Sequence, residues 1–404
     1  MYQAENPAVV LGMFETGLGV SRSLGRKGVR VIGVDFKEDV GFRSKYVTQH
    51  MCPHPLKEMD DFIENLIALA NRFRQKATLF MTADEFVLAV SRRRRTLSDR
   101  YLLNLPPADV VESIMDKKEL YENAKAVGVL TPKTFFPRSF AELKELQGEI
   151  QYPVFMKGCY GFAWRSKFGA RKGFVVNNEK ELVQYFGLTT EKEVPALVQE
   201  IIQGPDTNHF KYCGYFSKKG RQILGFTLQK IRQQPIRFGV GAAVKSVCFP
   251  RLLEIGRNYF EAIGYRGVGS AEFKIDDRDG RLKLIEVNPR YWQQNILADR
   301  CGMSFPFVDY LEATCQNPDK LNSFATGVKW INIYSDLDSF LAYRVEGKLT
   351  FSAWVRSLKG TKVFSDFALD DIMPAIYEAR FWRKMSHIPR YLCRRLIKHY
   401  CDAG

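Results

Sequence analysis

Histidine is scarce in this sequence and cysteine is never paired at short spacing, and both shortages exclude common types of site. The five histidines among 404 residues form no cluster with the spacing of a zinc site. None of the eight cysteines belongs to a Cys-x-x-Cys pair, which is typical of a protein kept in a reducing cytosol. No Ser/His or Cys/His constellation indicates a side-chain nucleophile.

Long apolar runs are also missing, so the sequence predicts no membrane-spanning helix. No run reaches the roughly 18 residues that are needed to cross a bilayer. The first residues also lack the basic segment and apolar core of a signal peptide. Together with the cysteine usage, these features predict a cytoplasmic protein.

Acidic residues are outnumbered by basic ones, and the formal net charge is +15. Such an excess favours an anionic partner, which can be a nucleic acid, a membrane surface or a small molecule. Paired zinc ligands, RNA-binding aromatic motifs and leucine heptads are all lacking, so we expect no nucleic acid partner. A P-loop is lacking as well, because no Gly-x-x-x-x-Gly-Lys-Ser/Thr occurs.

The N-terminal region has the pattern of an α/β domain with a parallel sheet. Residues 8–12 and 29–35 read as strands, and Gly17 and Gly19 open a helix between them. These glycines imitate a dinucleotide fingerprint, but Arg22 stands where its third glycine belongs. A dinucleotide-dependent oxidoreductase is therefore an alternative that rests on the glycines alone.

The most informative segment is Leu284–Arg290, which reads as a strand that carries metal ligands. Glu286 and Asn288 alternate, so a strand places both side chains on one face. Glu272 lies in an earlier strand, and the turn-forming residues between the two strands predict a hairpin. Two carboxylates and an amide oxygen would then converge, and such hard ligands suit Mg²⁺ bound together with substrate phosphates. Arg290 is expected to pair with a phosphoryl or carboxylate oxygen.

A buried strand that ends in a lysine lies upstream. Residues 154–158 form a short apolar run after Pro153, which is typical of a core strand. Lys157 near its end is costly to bury without an anionic partner. Residues 158–173 then read as a glycine-containing loop, a composition that lets backbone amides approach phosphates.

In this order, the segments resemble the ATP-grasp superfamily, in particular its carboxylate–amine ligase-like branch. The resemblance implies an ATP-grasp fold of α/β and α+β type, with an N-terminal Rossmann-like domain and a C-terminal extension. It implies ATP and Mg²⁺ as cofactors, with Mn²⁺ as an alternative metal. The implied metal ligands are Glu272, Glu286 and Asn288. The implied catalytic residues are Arg290, Lys157 and Arg232, the last in a basic segment expected near the γ-phosphate.

The resemblance also implies where the nucleotide binds. A hinge at residues 196–206 would contact the base and the ribose. For Lys117 the alternative is a solvated helix start, with Asp116 as the predicted N-cap of that helix. For Asp206 the alternative is a turn residue after Gly-Pro. The implied nucleotide-binding residues are Lys117 and Lys157 for phosphates, the Ile202 backbone with either Gln199 or Glu200 for adenine, and Asp206 for the ribose.

Three parts of the chain follow from the resemblance. They are an N-terminal α/β domain at residues 1–110, an ATP-grasp domain at residues 111–325 and a C-terminal extension at residues 326–404. In the first part, Asp84 and Glu85 follow a strand and are expected to face the acceptor substrate.

The C-terminal tail is strongly basic. From Arg380 to Gly404 it has seven basic residues and one acid, Asp402. Leu392, Leu396 and Tyr400 share one helical face, which predicts a short basic amphipathic helix. Two alternatives stay open for this helix: peripheral contact with an anionic inner membrane surface, or docking on the protein's own core.

The activity implied by the resemblance is that of an ADP-forming ligase. It would activate a small-molecule carboxylate as an acylphosphate and join it to an amine. One alternative is a carboxylase resembling biotin carboxylase, which the lack of a biotin-acceptor Met-Lys-Met segment disfavours. The other is a non-catalytic ATP-binding regulatory protein, which the presence of all three expected metal ligands disfavours.

Overall fold

A computed structural model describes residues 5–169, 172–316 and 323–385. The tail from residue 386 onward, with its predicted amphipathic helix, lies outside the described residues. Within them, no helix combines the length and the apolar composition that a bilayer crossing requires.

The N-terminal part is a parallel α/β domain, as predicted. Its elements are β1 Ala8–Leu11, α1 Glu15–Gly25, β2 Val31–Asp35, β3 Val47–Met51, α2 Met59–Ala70, β4 Ala77–Met81, α3 Asp84–Arg92, α4 Arg94–Ser98 and β5 Tyr101–Leu103. The strands lie in the order β3-β2-β1-β4-β5 and all pair in parallel. Asp84 begins the helix after β4, at the carboxyl edge where ligands bind in such sheets.

Helix α1 begins at Glu15, two residues before the predicted start, so Gly17 and Gly19 lie inside it. A Cβ atom on Gly17 would lie 2.0 Å from the Gly12 carbonyl oxygen. One on Gly19 would lie 2.5 Å from Asn295 Oδ1. Both glycines therefore serve close packing of the helix, which accounts for their fingerprint-like spacing without a dinucleotide.

The first lobe of the next part contains a four-stranded antiparallel sheet. Two helices precede it, α5 Ala108–Met115 and α6 Lys117–Ala126, and their buried residues pack in the core of the second lobe. The elements of the first lobe are β6 Thr134–Phe135, α7 Phe140–Leu146, β7 Val154–Gly158, α8 Gly161–Phe168, β8 Phe174–Val176, α9 Glu179–Glu191 and β9 Ala196–Glu200. The strand order is β6-β9-β7-β8.

The expectation of a loop after β7 was wrong, because residues 161–168 form helix α8. Trp164 is buried, and its ring stacks on that of Phe168 with centroids 4.3 Å apart. The aromatic residues thus bury a helical face, and this packing outweighs the flexibility that the glycines suggested.

The second lobe and the C-terminal extension share one seven-stranded sheet. Its elements are β10 His209–Phe216, β11 Gln222–Gln234, β12 Val240–Ser246, α10 Pro250–Ala262, β13 Gly267–Ile275, β14 Leu282–Asn288, α11 Asn295–Arg300, α12 Phe305–Ala313, β15 Lys329–Ile331, α13 Ile333–Val345, α14 Phe351–Ser357, β16 Lys362–Phe364 and α15 Met373–Met385. The order β14-β13-β10-β11-β12-β15-β16 shows that the sheet continues past residue 325.

The predicted hairpin that carries the acids is confirmed as β13 and β14, and its register is irregular. The pairing shifts between Glu272 and Phe273, next to Glu286. Leu284 and Val287, which lie on either side of this shift, both belong to the core, whereas Glu286 remains accessible. The irregularity lets one strand both fill the core and present its carboxylate to the cleft.

The C-terminal extension also packs on the N-terminal domain. Arg22 Nε donates to Asp371 Oδ2 at 2.9 Å, and both side chains are almost fully buried. Arg22 Nη2 also donates to the Asp366 carbonyl at 2.7 Å. Arg26 forms a more exposed pair with Asp370 at 2.8 Å. These contacts hold α1 between the second lobe and the extension.

Candidate active site

A row of polar side chains crosses three neighbouring strands of the second-lobe sheet. Glu286 on β14 lies opposite Glu272 on β13, and Glu272 lies opposite Lys211 on β10. Asn288 lies opposite Ser270, one step further along. Directly opposed residues have Cβ atoms about 5 Å apart, so the carboxylates and the amide come together as the alternation predicted.

Two lysines of the same lobe flank Glu272. Lys211 Nζ lies 3.0 Å from Glu272 Oε1, and Lys230 Nζ lies 3.5 Å from Oε2. Burial alone would raise the pKa of Glu272, but Lys211, Lys230 and the more distant Lys172 outweigh it. The pKa is held well below its usual range, so Glu272 is a stable anion in the cleft.

Two further lysines approach Glu286, one from α6 and one from the first lobe. Lys117 Nζ lies 3.5 Å from Glu286 Oε1. Lys157 on β7 donates to Tyr121 Oη at 3.4 Å. Burial lowers the pKa of Lys157, and the charge of Glu286 opposes this only in part. Burial likewise works to raise the pKa of Glu286, but Lys117 leads the cations that bring it below its usual value.

The start of helix α6 fixes the position of Lys117. Asp116 accepts hydrogen bonds from the backbone N–H groups of Lys118 and Glu119, which confirms its prediction as an N-cap. The Lys117 N–H donates to the Cys159 carbonyl at 3.3 Å, at the end of β7. The helix start is therefore anchored to the strand that carries the other phosphate lysine.

The donor set fits Mg²⁺. Glu272 and Glu286 offer carboxylate oxygens and Asn288 offers an amide oxygen, and all three are hard ligands. Across residues 5–169, 172–316 and 323–385, no group of three or more His, Cys, Asp or Glu side chains could hold a metal by itself. Mg²⁺ commonly takes one or two protein carboxylates and completes its shell with water and phosphate oxygens.

Arg290 connects the end of the metal strand with the N-terminal domain. Its Nε lies 2.6 Å from Asp84 Oδ1, and its Nη2 donates to Asn288 Oδ1 at 3.1 Å. Arg165 on α8 lies 3.5 Å from the second Asp84 oxygen. Burial alone would raise the pKa of Asp84, but the two guanidinium groups hold it below its usual value. Asp84 thus brings the domain and both lobes together at this end of the cleft.

Gln199 and Ile202 lie at the hinge. Gln199 on β9 lies opposite Phe155 and so shares a sheet face with it. Its Nε2 donates to Thr134 Oγ1 at 2.8 Å. The Ile202 carbonyl accepts a hydrogen bond from Lys274 Nζ at 2.8 Å. The hinge therefore presents an amide side chain on the face that also carries the phosphate lysine.

Glu200 was predicted as an alternative to Gln199, and the structure places it on the opposite sheet face. It lies opposite Val154, whose side chain belongs to the core of the lobe. The Glu200 carboxylate accepts from Lys133 N–H at 3.0 Å, from Arg278 at 2.9 Å and from Lys283 at 3.0 Å. These three donors engage Glu200, so the geometry favours Gln199 for contact with a base.

Asp206 is engaged by the C-terminal extension. Its carboxylate accepts from Tyr343 Oη on α13 and, at 3.1 Å, from the Arg237 N–H. Arg237 Nη2 in turn lies 3.1 Å from Glu346 at the end of α13. The extension thus holds both the hinge carboxylate and the turn between β11 and β12.

That turn also places an aromatic ring between the lobes. Phe238 stacks on Phe155 with ring centroids 4.5 Å apart and an interplanar angle of 15°. Phe155 shares the face of β7 that carries Lys157, because alternate residues of a strand point the same way. The stack therefore spans the cleft beside the hinge.

Arg232 was predicted to be catalytic, and the structure instead shows a buried pair. Its Nε and Nη2 donate to the two Asp336 oxygens at 2.6 and 3.0 Å. Its Nη1 donates to Ser357 Oγ at 2.7 Å. The guanidinium is only 3% exposed, so these contacts tie β11 to the C-terminal extension and do not turn it toward the metal strands.

Sequence reasoning missed several cations of the cleft. Lys211 lies on β10, directly beside the strand of Glu272, and Lys230 lies on β11, one strand further away. Neither was predicted as a site residue. His209, two residues before Lys211, is also buried, and neither ring nitrogen has a partner among the described residues. Burial, Lys230 and Lys274 lower the pKa of His209 to about 2, so the ring is neutral. The alternation of polar residues along β10 was the sequence pattern from which these residues could have been predicted.

Two sequence relatives are ligases or synthases. A D-aspartate ligase from Enterococcus faecium (strain Aus0004) is 23% identical over 258 residues, which cover 60% of this chain and 61% of that protein. The carbamoyl phosphate synthase large chain from Thermotoga sp. (strain RQ2) is 23% identical over 252 residues, which cover 59% of this chain and 22% of that protein. The match thus spans less than two thirds of either relative. No protein-family model matches the sequence.

Solved structures show the same architecture. The biotin carboxylase complex from Campylobacter jejuni has a TM-score of 0.63 at 19% identity, covering 80% of this chain and 74% of that one. The L-amino acid ligase from Bacillus licheniformis has a TM-score of 0.59 at 15% identity, covering 77% and 75%. N5-carboxyaminoimidazole synthetase from Staphylococcus aureus complexed with ADP has a TM-score of 0.62 at 14% identity, covering 80% and 81%. The chain therefore has the fold of these structures, which are ATP-grasp domains.

Proposed function

We propose that this protein is an ATP-dependent ligase that joins a carboxylate to an amine and releases ADP. The observation that carries the proposal is the charge arrangement of the cleft. Two carboxylates, Glu272 and Glu286, meet four lysines, which are Lys117, Lys157, Lys211 and Lys230. Four positive charges against two negative ones leave an excess that suits a polyphosphate.

The nucleotide would lie between the lobes with its phosphates at this row. Lys157 from the first lobe and Lys117 from the start of α6 would contact phosphate oxygens. Lys211 and Lys230, which neutralise Glu272 here, would turn to the phosphates when Glu272 holds a metal. Gln199 and the Ile202 backbone would contact adenine, and Asp206 would accept hydrogen bonds from the ribose. The implied metal ligands are Glu272, Glu286 and Asn288.

The chemistry needs positioning and charge neutralisation more than a protein nucleophile. An acceptor carboxylate oxygen bonds to the γ-phosphorus, and the bond to the β–γ bridging oxygen breaks, so that ADP leaves. The amine nitrogen then bonds to the acyl carbon, and inorganic phosphate and a proton are released. When bound, Mg²⁺ supplies charge neutralisation on the phosphate oxygens. Arg290, held by Asp84, would orient the acceptor carboxylate or the transferred phosphoryl group.

The same proposal has Mn²⁺ as the alternative metal, because the oxygen ligands that it binds are of the same kind. The buried pair with Asp336 supports an anchoring role for Arg232, in place of the predicted catalytic one. Contact of the tail with an anionic membrane stays a prediction, because the tail lies outside the described residues.

The test is a screen for ADP release with Mg·ATP over amino acids and small carboxylates, alone and in pairs. We expect release to require one carboxylate and to increase with one amine. Glu286→Ala should abolish release, whereas Glu254→Ala, an exposed acid on α10 in the same lobe, should not. Release that needs bicarbonate and biotin instead would indicate the carboxylase. Unchanged turnover of Glu286→Ala would contradict the metal assignment.

A further inference from the structure

Three lysines lie side by side on the strands that the C-terminal extension adds to the large sheet and on the strand next to them. Lys245 on β12 lies directly opposite Lys329 on β15, and Lys329 lies directly opposite Lys362 on β16. Neighbouring strands are about 4.8 Å apart, so this lysine row is roughly 10 Å long. Like charges that face each other across strands destabilise a sheet unless another group neutralises them.

The lysine row lies on the back of the sheet, away from the nucleotide cleft. Lys230, which is placed at the phosphates, lies opposite Val244 on β12. Val244 and Lys245 are consecutive in a strand, so their side chains point to opposite faces. Val244 and Trp330, the neighbours of Lys245 and Lys329 along the chain, are both buried in the core. The lysine row is therefore separate from the site described above.

No acidic side chain balances the lysine row. The ion pairs among the described residues include none of its three members. Residues 240–253, 323–335 and 347–364, which build this part of the sheet and its surroundings, contain no aspartate or glutamate. The same segments contain two, one and four basic residues, respectively. The positive charge of this surface is thus uncompensated within the segments that form it.

The lysines are also recessed, since all three side chains are partly buried. Burial lowers the pKa of Lys329, and the charged neighbours that add to this effect are Lys362, Lys245 and Arg232. Lys329 Nζ donates a hydrogen bond to the Lys359 carbonyl, which satisfies one N–H group and leaves the charge without a counterion. Surface lysines ordinarily extend their ammonium groups into water. Three of them held together in a recess favour a site for an anion.

Protection of the sheet edge does not account for the whole row. Edge strands often carry lysine because its charge prevents pairing with another chain. This reason applies to Lys362, because β16 is an edge strand. Lys245 and Lys329 lie on β12 and β15, which are paired on both sides. Their register with Lys362 therefore needs a different explanation.

The spacing and the residue type indicate the chemistry of the anion. A ligand that pairs with the whole row must spread several negative charges over roughly 10 Å, which a single phosphate group does not do. Lysine binds phosphate as a point charge, whereas carboxylates are matched best by the fork of arginine, which the row lacks. The partly buried ammonium groups suit a narrow chain better than a flat membrane surface. A chain of a few phosphate groups meets all of these conditions.

We infer that Lys245, Lys329 and Lys362 form a second anion site, which binds a linear oligophosphate, either free or carried by a small molecule. The inference goes beyond the proposed ligase function and does not depend on it. Neutralisation by the ligand would remove the repulsion between β12, β15 and β16. Binding would therefore stabilise the attachment of the C-terminal extension to the second lobe.

The test reads the reactivity of each lysine separately. The full chain is treated briefly with an acetylating reagent, with and without sodium tripolyphosphate, and acetylation of each lysine is measured by mass spectrometry. We expect tripolyphosphate to slow acetylation of the lysine row several-fold, and inorganic phosphate at equal ionic strength to slow it much less. The exposed residues Lys57, Lys144 and Lys180 should react equally in all samples. Unchanged acetylation of the row with tripolyphosphate would overturn the inference.

Matched variants test the same site by calorimetry. One variant replaces the three lysines of the row by glutamine, and the control replaces Lys57, Lys144 and Lys180 by glutamine, which removes the same charge. Because the nucleotide cleft is cationic as well, the comparison of these two variants decides the result. The row variant should lose one tripolyphosphate site or bind there at least tenfold more weakly, whereas the control should bind like the wild type. Equal binding by both variants would overturn the inference.

A single substitution tests the repulsion within the row. Lys362→Gln breaks no ion pair of the described residues and should raise the melting temperature of the ligand-free protein. Lys180→Gln should leave the melting temperature unchanged. A lower melting temperature of Lys362→Gln would mean that the three charges do not repel one another, and it would overturn the inference.

Other polyanions are further arms of the acetylation experiment. Protection by metal-free ATP that equals that by tripolyphosphate would support the site and indicate an oligophosphate carried by a nucleoside. Stronger protection by single-stranded oligothymidylate of equal phosphate content, or by phosphatidylserine vesicles, would assign the row to a nucleic acid or a membrane and overturn the inference. Acetylation of Lys117 and Lys157 with Mg·ATP reports the nucleotide cleft in parallel. Failure of the proposed nucleotide site would therefore leave the result for the lysine row unaffected.

Discussion

Two carboxylates, Glu272 and Glu15, are both largely enclosed in this molecule and have opposite electrostatic states. The Glu272 side chain is 21% exposed and lies between Lys211 and Lys230, and these cations overcome burial and hold its pKa well below the usual range. Glu15 is 5% exposed, its oxygens accept from two amide groups, and burial raises its pKa to about 8. The cationic partners of Glu272 therefore account for most of the difference between the two acids.

The two acids also differ in the kind of partner that surrounds them. Around Glu272, the lysines supply positive charge, and phosphates and a metal ion could replace it. Around Glu15, no ion pair within the described residues supplies positive charge, and both carboxylate oxygens accept hydrogen bonds from amide groups.

The largest expected effect is on the pH dependence of stability. Because the folded-state pKa of Glu15 is about 8, above its ordinary value of 4.5, the folded state binds the extra proton between these values. The stabilising effect is fully present below pH 4.5 and is lost as the pH rises through 8. Relative to Glu15→Gln, the wild type should lose up to about 5 kcal/mol of unfolding free energy over this range. Urea titrations of both proteins at several pH values measure the difference, and a constant difference would contradict the assignment.

The next largest effect on stability is expected from Glu272, the other carboxylate of the comparison. Glu272→Gln leaves Lys211 and Lys230 facing each other without an anion, which should cost about 2–3 kcal/mol of unfolding free energy. The cost stays below that of a fully buried pair, since the Glu272 side chain is 21% exposed. Adding Lys211→Met should restore part of the loss, which urea titrations of the single and double variants would show. Additive losses would mean that the lysine and the carboxylate do not interact.

Removal of a lysine that is proposed to bind phosphate should weaken nucleotide binding and leave the carboxylates unchanged. Lys157→Ala should weaken Mg·ATP binding by about 1.5–3 kcal/mol, because a phosphate loses its charge-assisted partner. Lys180→Ala changes an exposed lysine on α9 of the same lobe and should bind as the wild type does. If calorimetry gives equal affinities for all three proteins, Lys157 is a structural residue.

The smallest effect is expected from the aromatic stack between the lobes. Phe238→Ala removes a ring that rests on Phe155 in the nucleotide-facing side of the first lobe. Loss of such a stack is worth about 0.5–1.5 kcal/mol, so Mg·ATP should associate roughly 2- to 10-fold faster in stopped-flow experiments. Phe351→Ala, at an exposed ring of the extension, serves as the control. Slower association of Phe238→Ala would show that the ring assists the nucleotide instead.

The sequence was sufficient to predict those parts of the site that one strand or one hairpin determines. The alternation of Glu286 and Asn288, and the turn that returns Glu272 to them, are local features. The cap at Asp116 and the strand that carries Lys157 are local as well. For these residues, the two-residue period of side chains along a strand and the residue types that favour turns and caps already specify where the side chains lie.

The remaining parts depend on contacts between distant segments. Lys211 meets Glu272 only because β10 lies beside β13, and strand order is not written in either segment. The pair between Arg232 and Asp336 joins residues 104 positions apart, so nothing near Arg232 marks it as an anchor. Helix α8 was missed because buried aromatic packing outweighed its flanking glycines. Glu15 takes its amide partners from Gln293 and Asn332, which are distant in the sequence, so its lack of a cationic partner could not be predicted.

The most direct test of the central claim is a calorimetric titration of ATP with and without Mg²⁺. It compares the wild type, Glu286→Ala and the control Glu254→Ala. We expect the wild type and Glu254→Ala to bind ATP more tightly with Mg²⁺, because the metal ties the phosphates to the Glu272–Glu286 pair. Glu286→Ala should lose that gain. An equal gain from Mg²⁺ in all three proteins would contradict the assignment of the site.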